Sequence, residues 1–170
     1  MSFRTIMIFP DFGNMEIIDA IRDRYDPLAK LVRPHITIVF PFESEMSNEE
    51  LSSVLDLRLR KIAPFDIVLQ GFSKHSDSFG HTLFLNLEKG CESIKQIHDS
   101  LYANEFNPFD LGYEYVPHIT VGKLPTEEEL DAAYESIRNI GEAFTTRVRK
   151  ISVEMIGEHE ESIIVLEKDI

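Results

Sequence analysis

The tetrapeptide Pro-His-Ile-Thr occurs twice, at residues 34–37 and 117–120, with its two histidines 83 residues apart (118 − 35). Around each copy the chain runs through one plan, and that repetition limits its possible folds more than any compositional figure. Thr5 to Phe9 is a short β-rich run closed by Pro10, and Asn14 to Arg24 carries Met15, Ile18 and Ile21 as a helical stripe. Between Pro34 and Pro41, the β-branched and aromatic stretch His35 to Phe40 predicts a strand. Ser47-Asn-Glu-Glu50 has the pattern of a capping box, in which a hydroxyl and a carboxylate three residues on satisfy each other's orphan N–H groups, and predicts a helix to about Ile62. Phe65 to Phe72 reads as the next strand.

The second half predicts the same order. Thr82 to Leu87 is a strand, Glu92 to Ala103 a helix, and Pro117 opens the strand His118 to Val121. Thr126 to Glu129 forms a second capping box before a helix to about Ile140, and Thr146 to Met155 and Ser162 to Glu167 close the chain as strands. The expected fold is α+β: one domain over residues 1–170, with repeated halves at about 3–75 and 81–168 forming two lobes about a pseudo-twofold axis. Corresponding residues of the halves then face each other across a central cleft.

Side chains alternate across a strand, so His35 and Thr37 share one face while Ile36 and Ile38 share the other, and His118 and Thr120 are set likewise against Ile119 and Val121. Two imidazoles and two hydroxyls therefore converge if the lobes face each other. One neutral imidazole can take a proton from water or a ribose hydroxyl, while the other, protonated, delivers one to the departing oxygen of a phosphodiester. The threonine hydroxyls can bond the non-bridging oxygens where charge develops, so this chemistry calls for no metal and no cofactor. His35 and His118 are the catalytic candidates and Thr37 and Thr120 the substrate-binding ones. A binding-only module for a phosphorylated ligand is the alternative from another class, and intact motifs count against it.

Charge narrows the substrate. With 17 Lys+Arg against 30 Asp+Glu, the net charge of −13 repels polyanions, which excludes broad gripping of duplex DNA and favours a small cyclic phosphate or a short oligonucleotide. The one cysteine, Cys91, has no partner for an intramolecular disulfide, as expected of a cytoplasmic protein. No apolar run approaches the roughly 20 residues of a membrane helix, and the N-terminal run is too short for a signal peptide. The sequence carries no indication of oligomeric state.

The paired His-x-Thr-x motifs, His35 to Ile38 and His118 to Val121, resemble those that define the two-histidine phosphoesterase superfamily, which includes the 2′-5′ RNA ligases and cyclic nucleotide phosphodiesterases. The resemblance spans nearly the whole chain and implies that family's bilobal α+β duplication with antiparallel sheets lining a cleft. Arg24-Tyr-Asp-Pro27, Pro41-Phe42 and Val116-Pro117 are similar to a bacterial subfamily of unassigned substrate. By resemblance the activity is hydrolysis of a cyclic phosphate such as a 2′,3′-cyclic phosphate, opening of a 2′-5′ linkage, or ligation by the reverse reaction.

A basic residue often follows the family's second motif, and Lys123 stands there, although strict alternation puts it on the Ile119 face unless a bulge intervenes. Phe42 is a candidate for stacking on a base, with Phe40 assigned to the core, and Tyr113 and Tyr115 either line the cleft or cover a lobe. His75, His81, His98 and His159 lack a threonine two residues on and are read as non-catalytic.

Overall fold

A computed structural model describes residues 3–170 and shows two four-stranded antiparallel sheets and four helices. In chain order the elements are β1 (Phe3–Ile8), α1 (Met15–Tyr25), β2 (Ile36–Glu43), α2 (Asn48–Leu59), β3 (Phe65–Asp77), β4 (Gly80–Lys89) and α3 (Cys91–Tyr102). A short 3-10 turn at Asn107–Phe109 precedes β5 (His118–Leu124), α4 (Glu127–Ile137), β6 (Phe144–Val148), β7 (Lys150–Ile156) and β8 (Ser162–Asp169). The capping box at Ser47 is complete: its hydroxyl accepts from the Glu50 N–H, and the Glu50 carboxylate accepts from the Ser47 N–H. At α4 only half of the expected box forms, because Glu129 accepts from the Thr126 hydroxyl instead of the backbone.

One sheet has the order β2-β1-β7-β8 and the other β5-β4-β3-β6. Matching the two sheets position by position pairs β1 with β4, β2 with β5, β7 with β3 and β8 with β6, the first two being equivalent strands of the two halves. One strand of the first half and two of the second, however, cross to the other sheet: β3 pairs with β4, while β7, with β8 beside it, pairs with β1. The helices exchange too, α1 packing on β5 and α3 on β2. A lobe is therefore built from both halves of the sequence, and the halves at about 3–75 and 81–168 are repeats of order but not separate lobes.

The strand expected from Thr146 to Met155 is two strands interrupted at Arg149. β6 hydrogen-bonds to β3 in one sheet and β7 to β1 in the other, so the chain turns a corner between sheets where a single run of β-formers suggested continuity. The hairpin of β3 and β4 is longer than its apolar runs imply, reaching Asp77 and Gly80 because cross-strand pairing continues through polar residues.

Ile36, Ile38, Ile119 and Val121, the aliphatic members of the motif strands, are completely buried. Each is worth about 1.5–3 kcal/mol relative to an exposed side chain, enough to hold the motif strands in register. Gly122 lies where α1 crosses β5: a Cβ there would stand 2.9 Å from the Tyr25 Cβ and 3.3 Å from a Leu83 methyl. Gly122→Ala should push α1 off the sheet and destabilise the fold by roughly 1–3 kcal/mol. An unchanged urea midpoint in this variant would mean that the close approach is not needed.

Candidate functional site

Both motifs meet across the groove between the sheets. Residues of β2 and β5 come within 8 Å of each other, Cα to Cα. The Tyr115 hydroxyl, just ahead of the second motif, donates to the Thr37 carbonyl inside the first at 2.7 Å. Tyr115 also stacks on His98, with ring centroids 3.8 Å apart and planes 3° from parallel, and His98 lies against Tyr102 on α3. The aromatic wall formed by α3 and the segment before β5 thus fixes one motif against the other. Neither Tyr115 nor His98 carries a motif of its own, so the sequence offered no signal for this clasp beyond their nearness to helix and strand.

The proline before each histidine has a local consequence. It restricts the residue ahead of it to extended backbone, which brings that residue's carbonyl under the imidazole. His35 Nδ1 lies 2.8 Å from the Arg33 carbonyl, and His118 Nδ1 lies 2.7 Å from that of Val116. A carbonyl only accepts, so Nδ1 carries the hydrogen and donates it. Each Nε2 is left as the ring nitrogen available for proton transfer.

Burial holds both imidazoles toward the neutral form. Desolvation lowers the His118 pKa to about 4, against a smaller rise from the Val116 carbonyl; positive charge on His35 or His75 lowers it further. The His35 pKa is also lowered, mainly by burial and then by Arg22, with the Arg33 carbonyl and Asp26 acting in the opposite direction. Arg22 and Asp26 form a buried ion pair at 2.8 Å near the end of α1, where Asp26 also accepts from the Leu28 N–H. That pair holds the start of the loop that delivers His35.

The ring of Phe84 stacks on His118 at 3.6 Å between centroids, with 20° between planes, and on His75 at 5.3 Å and 18°. Since β4 runs between β3 and β5, Phe84 stands between the two imidazoles. His75, an exposed residue paired with Asp77 at 3.0 Å, therefore belongs to the same face as His118. The hairpin register that puts it there is not written in its neighbours.

Thr37 and Thr120 are half-buried on the faces of their histidines. Lys123 is exposed and joins them. β5 pairs Thr120 with Phe84 but Gly122 with Leu83, so one extra residue enters the strand and both Val121 and Gly122 turn to the core. This bulge moves Lys123 opposite Thr82, onto the His118 face.

Phe42 requires a correction. It is 1% exposed and packs edge-on to Phe106 at 5.0 Å, whereas Phe40 is 38% exposed. β2 is irregular as well: Met7 pairs with Thr37, Ile6 with Val39 and Arg4 with Phe42, two shifts that turn Val39 inward and Phe40 outward before Phe42 returns to the Ile36 face, where alternation from His35 also places it. Phe42 is a core residue and cannot stack on a ligand. Tyr113, by contrast, is exposed, edge-on to Phe79.

Among the described residues no cluster of three or more His, Cys, Asp or Glu is placed to hold a metal ion, and no helix is long and apolar enough to cross a membrane.

The geometry has counterparts in known proteins. The profile of the 2′-5′ RNA ligase superfamily matches residues 9–159. Two relatives share the name "Putative phosphoesterase": one from Bacillus pumilus is 28% identical over 160 residues, spanning 93% of this chain and 82% of its own. The other, from Bacillus licheniformis, is 30% identical over 129 residues, spanning 73% and 72%. Among solved structures, E. coli LigT complexed with 3′-AMP superposes with a TM-score of 0.61 at 15% identity, covering 99% of this chain and 98% of that one. A Thermus thermophilus protein gives 0.59 at 17% identity, covering 98% and 97%. At these identities the structural likeness establishes the fold.

Tyr115→Phe should cost about 1 kcal/mol in stability, the usual net worth of such a hydrogen bond, and free the first motif from the second. Stability like that of the wild type in guanidinium unfolding would show that the clasp carries nothing.

Proposed function

Because this chain belongs to the 2′-5′ RNA ligase superfamily, we propose that it is a phosphoesterase that opens a small cyclic phosphodiester, such as a nucleoside 2′,3′-cyclic phosphate, using His35 and His118 as acid and base. The observation that carries the reading is the matched tethering of both rings through Nδ1, which leaves two equivalent Nε2 atoms at one groove. One neutral Nε2 removes a proton from water as its oxygen bonds to phosphorus. The second imidazole, protonated, gives its proton to the ribose oxygen whose bond to phosphorus breaks. Thr37 and Thr120 hold the non-bridging oxygens, and Lys123, turned inward by the bulge, adds a positive charge at their side.

All the proton transfers in this scheme are made by the protein's own groups, so no metal enters it. The net charge of −13 favours a small substrate over a long RNA. E. coli LigT, of like fold, has been crystallised with 3′-AMP, a nucleotide of the size proposed here.

The deciding experiment treats the protein with EDTA and follows 2′,3′-cyclic AMP and a 2′-5′ linked dinucleotide by product chromatography. Turnover of the cyclic phosphate should survive the chelator and fall by about 10²- to 10⁴-fold in both His35→Ala and His118→Ala. Loss of turnover on adding EDTA, or full activity in either variant, refutes the scheme.

The burial of both rings also sets a pH signature. A reaction needing one neutral and one protonated imidazole is fastest between their two pKa values. With His118 near 4 and His35 below its usual 6.5, kcat/KM should peak on the acid side of 6.5. An anionic substrate favours the imidazolium, so the optimum of kcat should lie higher than that of kcat/KM. A kcat/KM optimum above about pH 7 would contradict the burial argument. Stability has the same sign: between pH 6.5 and about 4 the unfolded chain binds a proton at residue 118 that the folded chain does not, so stability decreases as pH falls through that window.

A further inference from the structure

We propose that the cavity where β1, β6 and β7 meet is an anion subsite that takes a second phosphate of the substrate, beyond the one held between the histidines. The identity of that occupant rests on the phosphoesterase reading, while the cavity itself does not. It encloses about 220 Å³, and its wall includes Arg33, Arg147, Arg149 and Lys150. Four of the chain's 17 Lys and Arg residues thus gather on one cavity of a protein whose net charge is −13. The carboxylates on that wall are Asp11 and Glu167, so positive charge is in excess where the bulk of the surface is negative.

The ion pairs there are open to exchange. Lys150 meets Glu167 at 3.1 Å and Arg147 meets Asp66 at 3.0 Å, with all four side chains between 44% and 47% exposed, as surface pairs worth under about 1 kcal/mol are. Among the described residues neither Arg33 nor Arg149 has a carboxylate within ion-pair distance. Guanidinium groups present forked donors that match phosphate oxygens in pairs, so two arginines without a carboxylate partner, flanked by two weakly held cations, suit a phosphate better than a carboxamide or a sugar.

The cavity continues the groove. Arg33 places its guanidinium 4.6 Å over the Phe9 ring, and Phe9 lies 6.0 Å from the His35 ring, centroid to centroid. The same Arg33 supplies the carbonyl that tethers His35 Nδ1. Met7 on β1 pairs with Thr37 on one side and with Ser152, a cavity residue, on the other. Thr37 and Ser152 therefore share a sheet face two strands apart, roughly 10 Å, within reach of one nucleotide phosphorylated at both ends of its ribose. Such a substrate would be a nucleotide with a cyclic phosphate at its 2′ and 3′ oxygens and a second phosphate on the 5′ oxygen, or the end of a short oligonucleotide.

Nitrogen-15 NMR of the full chain, titrated with inorganic phosphate, 3′-AMP and adenosine 3′,5′-bisphosphate, tests this without relying on turnover. Inorganic phosphate should shift the signals of Arg33, Arg149 and Lys150. The bisphosphate should bind roughly tenfold more tightly than 3′-AMP, and Arg149→Glu or Arg33→Glu should remove that advantage while Arg149→Lys keeps part of it. Equal affinity for the two nucleotides in the wild type, an advantage that survives both reversals, or phosphate shifts confined to His35 and His118 would each overturn the subsite. Shifts at the cavity with none at either histidine from any ligand would support the subsite and sink the phosphoesterase reading instead.

Discussion

Each sheet of this protein is completed by a strand from the other half of the chain, and the remaining architecture follows from that exchange. β3 hydrogen-bonds to β4 and β6, both from the second half, and β7 to β1 of the first, so neither half completes a four-stranded sheet alone. Unpaired strand edges and an uncovered layer of isoleucine are costly in water, so the halves must fold as one cooperative unit. The same exchange clamps the two Pro-His-Ile-Thr strands in fixed relation. They stand at equivalent edges of the two sheets, with α1 and α3 crossing over to pack on the opposite motif.

Within that frame the groove acquires its chemistry from desolvation more than from charge. The rings of His35 and His118 are tied back by carbonyls that fix the tautomer, and burial disfavours the imidazolium in both. On the proposed reading an incoming phosphate would supply negative charge to the groove, so protonation of one ring and binding of substrate would favour each other. The acidic exterior and the local gathering of arginines beside Phe9 have opposite signs. On the phosphoesterase reading, a long polyanion would meet repulsion over most of the surface, whereas a compact phosphate reaching the groove would meet attraction.

The β-bulges in the two motif strands show how much of a site can turn on one residue. In β5 the extra residue at Val121–Gly122 brings Lys123 round to the face of His118. In β2 the shifts around Val39 and Phe40 turn Val39 into the core and Phe40 outward, while Phe42 stays in the core against Phe106. Strict alternation from the histidines predicts the wrong face for Lys123, Val39 and Phe40, and the right face for Thr37 and Thr120, which precede the bulges, and for Phe42. A bulge is set by cross-strand register, and register is a property of two segments that one segment's composition does not contain.

The amino-acid sequence by itself determined the duplicated order of elements, the helix start at Ser47, the shared face of each His-Thr pair and the burial of the isoleucines between them, because all of these depend on local pattern: period two in strands, capping chemistry, and proline's restriction of its neighbour. Tertiary structure alone decided which half's strand completes which sheet, that the run from Thr146 to Met155 divides at Arg149, that Tyr115 clasps Thr37, that Phe84 stacks between His75 and His118, and that four cations converge beside Phe9. Each of these joins residues far apart in the chain, and such contacts are chosen by how whole surfaces pack together, a choice that no stretch of sequence can express on its own.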